Sequence, residues 1–455
     1  MHLTAPEHTI QPLSSWQQRL AMVALMSAVV LATLDTTISN TALPQIAHEL
    51  GTTEASIIWV ANAYQIAMIA ALLPLASLGE AIGYRRVYVG GVLFFTVASL
   101  ACGLAPSLAW ITAARAFQGV GAAAIMGVNT AFIRHIYPPA RLSHGLAMNA
   151  MIVAIGFTLG PPLASAILSV ATWHWLFLFN VPIGLVVIPL ALKFLPNAAG
   201  TRHAFDYGAA ALCAAFLGLL AFSFCMLGNS AGRSGAGIAA AICVLCLIGL
   251  LKKQVDHPAP MLALDLLKRP VVGLSSATAI CAFATQSLAF VSLPFYFQTT
   301  IGVSLVATGL LLMTWPIVVA VMAMLVRPLA DRYSPAVLCS AGLLTLAVGM
   351  LSLTTMSAAS THLAIILRLI VCGIGFGLFQ APNMKAIMVN APPHRSGGAS
   401  GIVAISRLMG QASGAAAVAQ CFHLWHGAGP HYALWFGGAT ALLGCCFSAL
   451  RLRKS

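Results

Sequence analysis

The sequence predicts an all-α polytopic membrane protein of fourteen spanning helices, and three observations carry that prediction. Of its 455 residues, 60% are hydrophobic and only 7% charged, where a soluble domain carries about 25% charged residues. The apolar residues fall in runs close to the roughly 20 residues a spanning helix needs. The runs also lack the strict alternation of a barrel strand, and backbone groups in lipid must be satisfied within the span, so they are helices. Finally, Lys and Arg gather on one side of the alternating loops.

In chain order, residues 1–19 are a polar cytoplasmic tail without the basic flank and small-residue cleavage site of a signal peptide. Span one, residues 20–41, holds Asp35. Span two, 55–76, follows an outward loop with Glu49 and Glu54. Span three, 86–105, starts behind Arg85 and Arg86. Span four, 108–130, carries Arg115. Span five, 145–168, carries Gly156, Gly160 and Pro161, and span six, 175–195, ends near Lys193. Span seven, 207–227, follows Asp206. Span eight, 235–251, is short, but Lys252 and Lys253 close it on the basic face. Between Lys252 and Pro270, behind Pro258 and Pro260, the residues Met261, Leu262, Leu264, Leu266 and Leu267 suit a short amphipathic helix along the inner membrane surface. Spans nine to fourteen follow at 272–297, 304–326, 335–357, 362–384, 398–421 and 431–450, with a tail at 451–455.

Arg19, Arg85, Arg86, Arg134, Arg141, Lys193, Arg202, Lys252, Lys253, Lys268, Arg269, Arg327, Arg332, Lys385, Arg395, Arg451, Arg453 and Lys454 all fall on one face, and Arg233 alone falls in a loop of the other. Basic loops stay in the cytoplasm, so both termini are expected there. The same bias accounts for the net charge of +13 without a nucleic-acid partner. Most of the 11 cysteines lie within apolar runs and read as small buried hydrophobes. His423, His426 and His431 share one loop without metal-ligand spacing, so no metal site is expected. There is no phosphate-cradling glycine loop with lysine, so no nucleotide or other cofactor is expected, and no catalytic Ser/His/Asp set, so no enzyme.

The two halves repeat. Arg115 and the glycines after it in span four are echoed by Arg368, Gly373, Gly375 and Gly377 in span twelve. Glu80, Gly83, Arg85 and Arg86 after span two are echoed by Asp331 and Arg332 after span ten. Gly156 and Gly160 in span five are echoed by Gly410 and Gly414 in span thirteen. Residues 20–195 and 272–450 therefore read as two six-helix bundles, with residues 196–271 holding linkers and the inserted spans seven and eight. Repeats of this kind place a binding site between them near the midplane.

These motifs resemble the major facilitator superfamily, in particular its fourteen-helix drug:proton antiporter branch. The resemblance rests on Leu34-Asp35-Thr36-Thr37-Ile38-Ser39-Asn40-Thr41-Ala42-Leu43-Pro44, on Arg115-Ala-Phe-Gln-Gly119-Val-Gly121, on Gly156-x3-Gly160-Pro161, and on the stretch from Trp173 through Asn180 to Gly184. Phe205-Asp206-Tyr207-Gly208, Leu264-Asp265 and Ser400-Gly401 followed by Arg407 add to it. Ala76, Glu80, Ala164 and Ser165 depart from the usual motif residues. The resemblance implies the major facilitator fold, alternating access driven by the proton gradient and a bacterial inner-membrane location. It also implies a coupling role for Asp35 with Arg115, a conformational latch at Glu80, Gly83, Arg85 and Arg86, and control of access by Gly119, Gly156, Gly160 and Pro161.

Asp35 is the one acid placed inside a span, and an ionised group there costs several kcal/mol. Burial favours its neutral form and a nearby cation its charged form, so a carboxyl without a fixed partner can carry a proton across. Asn62, Tyr64 and Gln65 of span two and Gln286, Phe290, Tyr296 and Arg368 of the second half are the candidates for the cavity wall. Export of amphipathic, cationic drugs or toxic compounds is the leading expectation. A specific endogenous metabolite, anions included, is the alternative. A monomer acting on a small-molecule substrate, protons and the lipid bilayer completes the expected set of partners.

Overall fold

The computed structural model describes residues 15–138, 141–197, 205–226, 233–254, 261–392, 395–425 and 427–452. Most of the N-terminal tail, Arg202, Pro258, Pro260, His426, Arg453, Lys454 and the side chains of Asp331 and Arg233 lie outside the described residues.

Among the described residues, fourteen helices are long and apolar enough to cross a membrane. They are span one (Trp16–Glu49), two (Glu54–Ile82), three (Tyr84–Gly103), four (Leu108–Ile136), five (His144–Leu168), six (His174–Phe194), seven (Tyr207–Met226), eight (Gly237–Gln254), nine (Pro270–Ile301), ten (Leu305–Ala330), eleven (Pro335–Leu353), twelve (His362–Val389), thirteen (Gly397–Leu424) and fourteen (Gly429–Arg451). Hydroxyl caps start several of them: Ser107 accepts from the Trp110 amide, Ser334 from Val337 and Thr361 from Ala364. These bonds satisfy amides that the first helical turn leaves open.

Helices outrun the apolar cores from which the sequence places them. Span one continues through Pro44 to Glu49, because Leu43, Ile46 and Ala47 are buried against the rest of the protein. Glu49 and Glu54 therefore sit in helix ends rather than in a free loop. Span two is interrupted at Ile58, span six at Phe179 and span ten at Met313, and span nine closes on a π-helical turn at Tyr296–Ile301.

Spans one to six pack among themselves, as do nine to fourteen. Inserted span seven lies across the seam, against span two of the first bundle and span thirteen of the second. Span eight packs on span seven at the periphery, with only 17% of its apolar window buried. On the face away from the termini, one apolar cluster joins Leu34, Ile38 and Ile46 of span one to Leu288 and Phe295 of span nine and Phe422 of span thirteen. The bundles are thus sealed together at that end. The segment before span nine differs from its expected form. Among the described residues between Gln254 and Pro270, Leu264–Leu267 is the helical part, and Ala263 and Leu266 pack inward against Val272, Ile387, Ala399 and Ile402. Of the apolar residues that suggested a surface helix, Leu266 and Leu267 pack under the second bundle, while Met261 and Leu262 pack against the core of the first.

Candidate functional site

Span one presents two different faces. Thr33 and Thr37, four residues apart, share one helical face. Their hydroxyls turn back to carbonyls of their own helix at 2.9–3.2 Å. This face meets span five where it lacks side chains: a Cβ on Gly156 would collide with Thr33, and one on Gly160 with Thr37. Helices in lipid gain little from apolar transfer, so close approach at small residues holds them together. Asp35, midway between the two threonines, projects to the other side.

There Asp35 is 1% exposed, and Arg115 of span four bonds and ion-pairs to its Oδ2 through Nη1. Oδ1 accepts two amide N–H groups, Gln118 Nε2 at 2.8 Å and Asn180 Nδ2 at 2.8 Å. Gln118 lies one turn beyond Arg115 on the same face of span four, and Asn180 is the residue at which span six resumes after its break. Gln118 also donates to Ser99 Oγ at 2.8 Å and accepts from Arg115 Nη1 at 2.6 Å. An ionised carboxylate only accepts hydrogen bonds, so three donors from two other spans match its charged form. Arg115 in turn donates through Nε to the Val60 carbonyl at 3.3 Å and lies under the Tyr64 ring, 4.2 Å from its centroid, a favourable cation–π geometry.

The carboxyl is therefore not the unpaired group the sequence suggests. Its partners come from distant parts of the chain, and spacing along span one cannot reveal them. Gln118 and Asn180 were not among the candidates. Their signal was available as amides inside apolar runs, each within a stretch already singled out.

The other candidates divide. Tyr64 is part of the network. Asn62 and Gln65 are buried on the same helix, and Asn62 Oδ1 and Gln65 Oε1 find no hydrogen-bond partner. Gln286 is half-buried in span nine. Phe290 packs on Trp315 (centroids 5.5 Å apart) within the aromatic core of the second bundle. Tyr296 and Arg368 bond locally. The Tyr296 hydroxyl donates to the Met356 carbonyl at 2.9 Å and Arg368 Nη2 to Thr355 Oγ1 at 3.1 Å, both at the end of the second bundle away from the termini. Arg368 mirrors Arg115 in sequence, but span nine contains no acid to pair with it.

At the expected latch, Gly83 has φ +100°, a backbone state open to glycine, and it turns the chain between spans two and three. Arg85 Nη1 donates to the Leu192 carbonyl at 3.2 Å and Arg86 Nη1 to Ile82 at 3.4 Å. Glu80 and Arg332 are exposed. Gly119 lets span four close on span two, since a Cβ there would strike the Tyr64 carbonyl. Span five joins the bundles: Gly309 of span ten sits over the Pro161 carbonyl and Ser165. An apolar cavity of about 380 Å³ opens between Leu73 of span two, Phe216 and Phe224 of span seven, Met261, and Ile402 and Met409 of span thirteen. None of the expected wall residues lines it.

Residues 25–415 match the family described as the Major Facilitator Superfamily. The chain is 44% identical to the uncharacterized transporter YebQ of Escherichia coli, over 95% of each chain. It is 30% identical to the multidrug resistance protein Stp of Mycobacterium tuberculosis, covering 90% of this chain and 76% of that one. It is 26% identical to the riboflavin transporter RibZ of Clostridioides difficile, over 88% and 87% of the two chains. Among solved structures, a peptide transporter POT in complex with sulfate superposes with a TM-score of 0.73 at 15% identity, covering 95% and 94% of the two chains. That likeness is one of fold.

Proposed function

The chain belongs to the major facilitator superfamily, and from that premise we propose that it is a proton-coupled antiporter exporting amphipathic small molecules by alternating access. As a multi-pass transporter of this family it moves a solute and is not an enzyme. In the proposed reading, the proton gradient drives it without any cofactor, it sits as a monomer in the bacterial inner membrane, and both termini face the cytoplasm, as the basic loops require.

The observation that carries this reading is the buried Asp35–Arg115 pair with its two amide donors. Breaking a buried pair leaves an uncompensated charge and costs about 3–5 kcal/mol. Protonation of Asp35 does this without moving an atom: the carboxyl loses its charge, and Arg115 is left seeking an acceptor. The local free energy released by rearrangement is then available to move spans one and four relative to each other. Each proton entering contributes about 2.3 kcal/mol per 100 mV of membrane potential. Span five passes such a movement on, because it contacts span one through Gly156 and Gly160 and the second bundle at Gly309. Glu80, Gly83, Arg85 and Arg86, with Asp331 and Arg332, fit the role of catches on the terminal face that hold one state until the other forms.

Multidrug relatives such as Stp support a broad amphipathic range. A cationic substrate paired to Asp35 would have to displace Arg115. The test is a compound screen in sealed, energised vesicles that reads pH on addition. Export coupled to protons moves the internal pH with some members of the panel, and uptake without any proton movement would defeat the reading.

A further inference from the structure

Two arginines of the spans, Arg115 and Arg451, are buried, a third, Arg407, is half-buried, and the first two are answered. Arg115 is paired with Asp35. Arg451, at the base of span fourteen, donates to Ser275 Oγ at 2.8 Å, Asn383 Oδ1 at 2.9 Å and Ser448 Oγ at 2.6 Å, as a structural arginine does. Arg407 of span thirteen is the third. It lies ten residues into the helix that begins at Gly397, near its middle. It makes no hydrogen bond or ion pair with any described residue, and its Nε is buried without an acceptor.

Its direction follows from its neighbours. Ala404, one turn earlier, and Leu408 pack into the apolar cluster of the first bundle, so this side of span thirteen faces across the seam. Arg407 and Tyr64 of span two are within electrostatic reach of each other. Arg407 itself is half-buried, so the protein leaves part of its side chain uncovered. Asp35, the acid of span one, already has three donors. The centre of the molecule thus holds two guanidinium groups and one carboxylate among its described residues.

An unanswered charge at this depth is expensive and marks a substrate or ion pathway. A guanidinium offers a planar fork that fits two oxygens of one oxyanion. We propose that Arg407 is the anion-binding subsite of the transport cavity, taking a carboxylate, sulfonate or phosphate group of the amphipathic substrate. This inference rests on the export reading above for its physiological sense, but the site can be tested by binding alone.

The probes are sulforhodamine, which is anionic, and rhodamine, which shares its aromatic body and is cationic. Fluorescence polarisation on the purified full-length protein in detergent should show sulforhodamine binding to the wild type. Arg407→Gln should weaken it about tenfold or more, about 1.4 kcal/mol per tenfold, with rhodamine affinity unchanged or improved. Arg407→Lys, which keeps the charge but loses the fork, should fall between, and thermal melts of both variants should match the wild type. Binding of rhodamine alone, or sulforhodamine affinity unmoved by Arg407→Gln, would overturn the proposal. Sulforhodamine binding through Arg407 without proton exchange in vesicles would count against the export mechanism and leave the site standing.

Discussion

Arg115 and Asp35, eighty residues apart in the chain, meet as a buried ion pair between spans four and one, and Gln118 and Asn180 complete the shell of the carboxylate. The carboxyl that the sequence offers as a lone proton carrier is one half of a balanced site.

Charge balance gives the first prediction. Asp35→Asn strands the Arg115 guanidinium and should destabilise the protein by about 3–5 kcal/mol, whereas pairing it with Arg115→Gln should recover most of that loss. Thermal denaturation of the single and double variants in detergent measures the coupling. Additive losses would mean that the two residues do not act as a pair.

The contact between spans one and five gives the second. Gly160→Ala places a methyl against Thr37, and overpacking of this kind costs about 1–3 kcal/mol. Gly397→Ala, where nothing lies within 4 Å, should be close to neutral. The melting temperature and initial transport rate of each variant should separate them clearly.

The inserted pair carries the third. Asp206 accepts from the Ala209 amide and from Lys253, which ties the start of span seven to the end of span eight. The hydrogen bond from Lys253, helped by backbone amides, holds the Asp206 carboxyl below its usual range. Stabilisation from a lowered carboxyl is therefore complete above the unfolded value, about 3.9, and is lost as pH falls through the folded one. Both partners are more than 40% exposed, so solvent screening limits the effect to about 1 kcal/mol or less. Asp206→Asn should lower the melting temperature slightly at neutral pH and low salt. The difference should shrink in high salt and begin to fade only as pH falls below about 4.

Topology gives the fourth. With both termini cytoplasmic, green fluorescent protein fused after Ser455 should fluoresce, and alkaline phosphatase fused after Gly427 should be active. The reverse pattern would invert the whole assignment.

The architecture was legible because hydropathy and the Lys/Arg bias vary with the same alternation as the spans. Helix ends were not, since Leu43 to Glu49 is helical through contacts with other spans rather than through its own hydropathy. The breaks at Ile58, Phe179 and Met313 leave no mark in composition. Asp35 and Arg115 stood out as charges in apolar runs, while Gln118 and Asn180 did not, because an amide is tolerated in many spans and only its partner reveals its task. Arg368 was singled out through the internal repeat. The repeat preserves backbone shape but not charge: the second bundle has an arginine at the matching place and no acid for it to meet. Arg407 was visible as a charge, but that its Nε finds no hydrogen-bond acceptor among the described residues is a fact of three dimensions.

The most direct measurement compares wild type and Asp35→Asn in proteoliposomes with two assays on one substrate: accumulation driven by an imposed pH gradient, and counterflow exchange without one. If Asp35 couples the proton to the movement of the bundles, the variant loses gradient-driven accumulation by about a hundredfold, some 2.7 kcal/mol, while retaining counterflow. Gradient-driven accumulation by Asp35→Asn at the wild-type rate would contradict the account.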